Sequence, residues 1–160
     1  FREKKLPVVI VRFFNVIGPR QSANYGMVVP RFIKQALQGH SITVYNDGEQ
    51  KRCFTDVDDA IQGLISLGVH PEAPGEIFNL GAHAETNEIS IKSLASKIKN
   101  LTESDSQVEY VPYDKAFAKG SYEDLNYRVP DLTKIKSYTG YDPKISLDMT
   151  LRKIIEYYES

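Results

Sequence analysis

At 160 residues the chain is long enough for one sizeable core or for a large part of a two-lobed protein. A hydrophobic share of 41% beside 26% charged residues describes an ordered, soluble chain, and a net charge of −1 argues against a polyanion-binding surface, so nucleic acid is not an expected partner. There is no run of about 18 apolar residues and no basic-then-apolar leader, and Cys53 stands alone without a disulfide partner, so no membrane association and a cytoplasmic location are expected.

The apolar, mostly β-branched run PVVIV, continued to Phe14, predicts a strand over residues 8–14 of the kind found in a parallel sheet covered on both faces. After a Gly18-Pro19 turn, Val28, Phe32, Ile33, Ala36 and Leu37 fall at helical spacing, with Gly39 as the stop. Residues 42–45 predict a short strand, Asn46-Asp47-Gly48 a turn, and residues 51–54 the returning arm of a hairpin. Asp56 is placed to cap a helix whose apolar face is Val57, Ala60, Ile61, Leu64, Ile65 and Leu67. Residues 77–80 predict a second short buried strand, Ser90 caps a helix carrying Ile91, Leu94, Ala95 and Ile98, and residues 108–111 are strand-like. The polar, aromatic stretch 114–127 has no clear period and predicts a loop. Asp131 caps a short helix through Tyr138, and a terminal helix over residues 147–158 turns Leu151, Ile154, Ile155 and Tyr158 inward. No linker or internal repeat divides the chain.

Self-contained chemistry is not visible. There is no Gly-x-Gly-x-x-Gly or Gly-x-x-Gly-x-x-Gly loop, and none of the ten tyrosines has a lysine four positions later. His40, His70 and His83 lack metal-ligand spacing and are read as solvated or turn residues, Cys53 as a small packed residue, and Asp56, Asp58 and Asp59 as a helix start rather than a metal cluster. No catalytic and no metal-binding residue is expected. What remains are recognition signals. Tyr45 before the turn and Arg52 after it fit a stacked base and a held phosphate. Taken alone, cross-strand packing of an aromatic and an arginine is the simpler account. Arg128, ahead of Pro130 and Asp131, suits a second phosphate contact and a surface ion pair equally well.

The ordered segments RFFNVIGPR, VVPRFIKQALQG, ITVYNDGEQKRCFTDVDDAIQGL, EIFNLG and RVPDLTKIKSYTGYDPKISLDMTLRKII resemble the carboxyl-terminal half of NAD-dependent nucleotide-sugar epimerases and dehydratases. These are extended short-chain dehydrogenases, and the likeness is strongest to UDP-glucuronate decarboxylases and UDP-glucose 4-epimerase-like members. The resemblance implies an α/β fold, the carboxyl-terminal portion of a Rossmann-type enzyme. Residues 7–14 and 76–81 would be late strands of the NAD-binding sheet, and residues 20–55 and 82–160 mainly a small mixed α/β substrate-binding lobe. It also implies a missing amino-terminal Rossmann half that carries the glycine-rich loop, the catalytic Tyr-x-x-x-Lys and most of the NAD contacts, and a homodimeric full-length protein. The ligand it implies is a nucleotide sugar, UDP-linked, undergoing epimerisation, dehydration or decarboxylation after oxidation at C4.

Carried over position by position, the resemblance places Asn15 on the substrate pyrophosphate, Tyr45 against uracil and Val28 at a backbone contact near the base. Arg52 and Arg128 bracket the diphosphate, Arg20 stands as a weaker candidate, and Phe13 and Phe14 lie near the nicotinamide end of NAD as buried apolar residues. Two departures stand out: the usual Tyr-Gly-Asp-Gly turn is Tyr45-Asn46-Asp47-Gly48, and Asn126 and Tyr127 stand where many relatives carry arginines. The competing expectation is a non-catalytic sugar-nucleotide-binding or scaffold domain. The apolar strands of residues 8–14 and 77–80, which would then be left without neighbours, speak against it.

Overall fold

The structure is a computed structural model that describes residues 3–4, 6–22, 27–116 and 126–160. In chain order its elements are β1 (Ile10–Phe13), β2 (Val16–Ile17), α1 (Val28–Leu37), β3 (Ile42–Tyr45), β4 (Lys51–Cys53), β5 (Thr55–Asp56), α2 (Val57–Val69), β6 (Ile77–Leu80), α3 (Ala84–Asn87), β7 (Glu88–Ser90), α4 (Ile91–Leu101), β8 (Val108–Val111), α5 (Tyr113–Ala116), β9 (Tyr127–Arg128), α6 (Thr133–Thr139) and α7 (Leu147–Glu159). The mixed α/β class and its parallel strand pairs agree with the sequence reading. The chain gathers into two compact units, one built from residues 1–17, 53–88 and 129–147, the other from 18–52, 89–128 and 148–160. Within the stretch expected as a loop, residues 117–125 lie outside the described residues.

In the first unit β1 and β6 pair in parallel from Ile10↔Ile77 to Phe13↔Leu80, and β2 pairs with β5. The core holds Ala60, Leu67, Phe78, Leu80, Ile135 and Tyr141, with Val9 and Val11 against it. Because side chains alternate along a strand, Val8 and Ile10 then face away, 42% and 51% exposed. Among the described residues α2 and α6 build one side, and Ile10 and Ile77 stay exposed on the other, which corrects the expectation of strands covered on both faces.

Helix α2 starts where predicted, with the Asp56 carboxylate accepting from the Asp58 N–H at 2.8 Å. Its buried face, however, is Asp59, Ala60, Gly63 and Leu67, while Ile61, Leu64 and Ile65 are exposed. The reason is close approach: a Cβ on Gly63 would lie 2.8 Å from Leu80 Cδ1 and 3.0 Å from the Tyr141 ring. The helix turns Ala60 and Gly63 inward together with Leu67, and Gly63 lies against Leu80 of β6. Asp59 accepts from the Lys144 and Ile145 N–H groups, and Asn87 donates to the carbonyls of Phe54 and Ile145, so buried polar side chains tie the loops of this unit together. Asp131 accepts from the Thr133 N–H at 2.9 Å, capping α6 one residue ahead of the formal cap position, Leu132.

In the second unit α1 and α4 pack on one another and on β3 around Phe32, Ile33, Val44, Leu94 and Ile98, all fully buried. The Ser90 hydroxyl accepts from the Ser93 N–H, so α4 begins at the predicted cap. In α7 Leu151, Ile154 and Ile155 are buried and Tyr158 is half-buried, its hydroxyl donating to the Gln21 carbonyl.

The predicted hairpin does not form. β3 pairs in parallel with β8, from Ile42↔Val108 to Tyr45↔Val111, while β4 lies between β7 and β9. Two local causes are visible. The edge of β3 away from β8 is occupied by α1 side chains: Gln35 accepts from the Thr43 N–H and Arg31 donates to the Thr43 carbonyl. The turn after β3 docks on α4, where the Gly48 carbonyl accepts from the Lys92 N–H. Gly48 has φ +68 and no room for a Cβ, which would meet Val44 Cγ1 at 2.6 Å.

Candidate functional site

β4 and β9 bring Arg52 and Arg128 together. They are directly paired in the parallel register, so their side chains leave the same face. Arg52 is half-buried and Arg128 exposed, and Arg52 Nη1 donates to the Lys51 carbonyl at 2.8 Å. Two arginines leaving one face of a sheet at paired positions are of the type that can give paired, charge-assisted hydrogen bonds to an anion.

Tyr45 closes β3 in the same unit and is half-buried. The Arg31 guanidinium lies 4.3 Å from its ring centroid, and the Tyr113 ring sits 6.3 Å away at 41°. Tyr113 is held in turn by Gln50, which donates to its hydroxyl. Arg31 was not singled out in the sequence because an arginine among the apolar residues of an amphipathic helix looks like a solvated face. The available signal was its spacing of four from Gln35, which puts both side chains over Thr43. Burial holds the Arg31 guanidinium below its usual range. Asn46 takes φ +56, so the Asn-for-Gly departure is absorbed by a residue that tolerates that region. Val28 is the first residue of α1, whose preceding Met27 supplies no side-chain cap. Arg20 is exposed at φ +67 in the turn closed by the Gln21 N–H and the Gly18 carbonyl.

The other predicted residues belong to the first unit, at the carboxyl end of β1, the edge where open parallel sheets bind ligands. Phe13 is 44% exposed and Phe14 half-buried, which corrects the expectation that both are buried for packing. The Phe14 N–H donates to the Leu80 carbonyl, and its own carbonyl accepts from the Thr55 hydroxyl at 2.7 Å. Asn15 takes φ +42, a sparsely populated conformation for a non-glycine residue. Its Nδ2 donates to the Cys53 carbonyl at 3.0 Å and its carbonyl accepts from the Thr55 N–H. An amide nitrogen carries two hydrogens, so that bond orients the side chain and leaves one N–H for a ligand.

The sequence pattern of the NAD dependent epimerase/dehydratase family matches residues 1–81, half of the chain. The chain belongs to this family. It is 41% identical over 154 residues to the UDP-N-acetyl-alpha-D-glucosaminuronate decarboxylase of Bacillus cytotoxicus, covering 96% of this chain and 46% of that protein. It is 36% identical over 158 residues to UDP-glucuronic acid decarboxylase 1 of Xenopus tropicalis, covering 98% of this chain and 34% of the relative. Among solved structures, the UDP-glucuronic acid 4-epimerase of Bacillus cereus in complex with UDP-glucuronic acid and NAD matches with a TM-score of 0.86 at 27% identity, over 99% of this chain and 47% of the other. The chain thus spans less than half the length of these relatives.

For a member of this family the described residues fit only one edge of NAD. Phe13, expected near the nicotinamide end, carries an exposed apolar side chain, and the sequence holds no glycine-rich turn to cradle the dinucleotide's phosphates. Cys53 is buried and donates to the Ala82 carbonyl at 3.3 Å, and burial pushes its thiol up to about 11, so it stays protonated and unreactive near neutrality. His83 donates to Asp142 at 2.8 Å, and His70 packs against Tyr138. No cluster of three metal-ligating side chains occurs among the described residues, and no described helix is long and apolar enough to cross a membrane.

Proposed function

We propose that this chain is the nucleotide-sugar-holding half of an NAD-dependent enzyme that epimerises, dehydrates or decarboxylates a UDP-linked sugar. The observation that carries the reading is the in-register pairing of Arg52 with Arg128, two guanidiniums matched to the two phosphates of a diphosphate. Tyr45 supplies the aromatic surface for uracil, Val28 a backbone contact near it, and Asn15 a neutral phosphate donor. Decarboxylases and epimerases of UDP-sugars among the matched proteins support the same substrate class.

Bound NAD would supply a hydride acceptor for C4 of the sugar, the chemistry on which the later carbon steps depend. The residues of this chain bind and orient: they fix the diphosphate so that the sugar is presented in one pose, a positioning contribution to rate. The proton-transferring tyrosine and the glycine-rich loop are assigned to an amino-terminal Rossmann half. That half would cover the exposed Ile10, Phe13 and Ile77, and the chain by itself is expected to be inactive. A homodimeric, cytoplasmic full-length enzyme completes the reading. The alternative of a stand-alone scaffold domain leaves those exposed apolar residues without a purpose.

Calorimetric titration with UDP tests the assignment. Because charge-assisted hydrogen bonds contribute about 1.5–3 kcal/mol each, Arg52→Ala should weaken UDP binding about ten- to hundredfold, with a smaller loss at high salt. Equal affinities for wild type and Arg52→Ala would remove the diphosphate assignment.

A further inference from the structure

Asn15, between β1 and β2, takes φ +42, a conformation that a side-chain-bearing residue keeps only when its surroundings hold it there. Both backbone dihedrals are set by the peptide planes on either side of the Cα, and Thr55 anchors both planes. In the plane before Asn15, the Phe14 carbonyl accepts from the Thr55 hydroxyl at 2.7 Å. In the plane after it, the Asn15 carbonyl accepts from the Thr55 N–H at 3.1 Å. The side chain is held two residues earlier on the same segment, where Asn15 Nδ2 donates to the Cys53 carbonyl at 3.0 Å. Thr55 is fully buried, and its segment is pinned along the opposite edge: the Phe54 N–H donates to the Asn87 carbonyl at 3.0 Å, and Asn87 Nδ2 donates to the Phe54 carbonyl at 2.8 Å. A valine would fill the same buried space with no hydroxyl to satisfy, so packing alone does not call for threonine here.

We propose that Thr55 is the positioning residue for Asn15: it fixes the peptide planes flanking Asn15 and so holds the side-chain amide where its second N–H meets a phosphate of the nucleotide sugar. The role rests on the reading of Asn15 as a phosphate donor. An amide that had to find this backbone conformation on binding would lose part of its hydrogen-bond energy to ordering, and a clamp made in advance removes that loss. The hydroxyl is the part of the clamp that a substitution can remove by itself, because the Thr55 N–H belongs to the backbone where β2 pairs with β5.

The test titrates UDP and inorganic pyrophosphate calorimetrically into the full chain as wild type, Thr55→Val, Thr55→Ser, Asn15→Gly and Thr55→Val/Asn15→Gly. Asn15→Gly removes the amide and tolerates positive φ, and it should weaken both probes about ten- to hundredfold, the loss of one hydrogen bond to a charged acceptor. Thr55→Val keeps the shape and the backbone N–H and should weaken both about three- to tenfold, while Thr55→Ser, which retains the hydroxyl, should bind within about twofold of wild type. In the Asn15→Gly background Thr55→Val should add nothing, because a positioning residue has no effect once the group it positions is gone. Should Thr55→Val not fold, Thr55→Ala, which leaves room for a water at the Phe14 carbonyl, is read in its place. The proposal is overturned if the variant without the hydroxyl binds like wild type, if Thr55→Ser is as weak as that variant, or if the double variant multiplies the two single losses. Each of those results, beside a weakened Asn15→Gly, leaves Asn15 on the phosphate. Unchanged binding by Asn15→Gly would instead remove Asn15 from the phosphate site, and the role of Thr55 with it.

Discussion

The two units solve the same packing problem differently. In the unit holding α1, β3, β8 and α4 the apolar residues close on themselves, and Phe32, Ile33 and Leu94 are inaccessible. In the unit holding β1, β6 and α2 one face is equally well closed, around Phe78 and Leu80, but Ile10, Ile61, Ile65 and Ile77 remain at the surface. Helix α2 carries Ile61, Leu64 and Ile65 exposed beside its polar Asp58 and Gln62. The first arrangement is a core closed on itself. The second leaves a group of apolar side chains in water.

Substitution can break or sharpen that contrast. The largest stability effect should come from Phe32→Ala, which empties a fully buried site and should cost about 3–5 kcal/mol in urea unfolding, whereas Ile10→Ala, with its side chain half in water, should cost below about 1 kcal/mol. Comparable losses at the two positions would mean that Ile10 is covered in the folded protein. Next comes Gly81→Ala. An added Cβ would lie 2.5 Å from Pro130 Cγ and 3.2 Å from Phe14 Cβ, and a proline ring does not swing aside, so about 1–3 kcal/mol of overpacking strain is expected in the same assay. Removing the α2 cap with Asp56→Ala should cost about 1 kcal/mol, and Asp56→Asn should restore most of it; failure of that rescue would point to a role beyond capping.

The smallest effect concerns pH. The ammonium of Lys144 and then the hydrogen bond from His83 hold the Asp142 carboxyl down to about 2, below its unfolded value of about 3.9. A carboxyl depressed by folding contributes stability above its unfolded pKa and loses that contribution as pH falls toward 2. Asp142→Asn should therefore be less stable than wild type at pH 5, with the gap closing by pH 2, and the gap should be small because these groups face solvent. A gap that persists at pH 2 would show that the carboxylate's charge is not the cause.

Much of this was legible in the sequence. The caps at Asp56 and Ser90, helix α1 and strands β3, β6 and β8 follow from local rules, because capping and periodicity act over a few residues. Strand partners did not. β3 sits beside a turn that invites a hairpin, but Arg31 and Gln35 reach across from α1 to its edge, and no local pattern announces a contact made by side chains from another element. The buried face of α2 is hidden for a related reason: Gly63 faces inward where an added Cβ would lie 2.8 Å from Leu80 Cδ1 and 3.0 Å from the Tyr141 ring, a contact that bulk in the sequence does not announce. At the candidate site the pairing of Arg52 with Arg128, 76 positions apart in sequence, depends on the parallel register of β4 and β9, and the approach of Arg31 to Tyr45 depends on α1 lying against β3. Composition names such residues; only the fold brings them together.

The most direct test of the central claim is a crystal structure of the protein with UDP. The account predicts the two phosphates in hydrogen-bond contact with the guanidiniums of Arg52 and Arg128 and the uracil ring stacked on Tyr45. A diphosphate bound elsewhere, with Arg52 and Arg128 making the same contacts as without ligand, would contradict it.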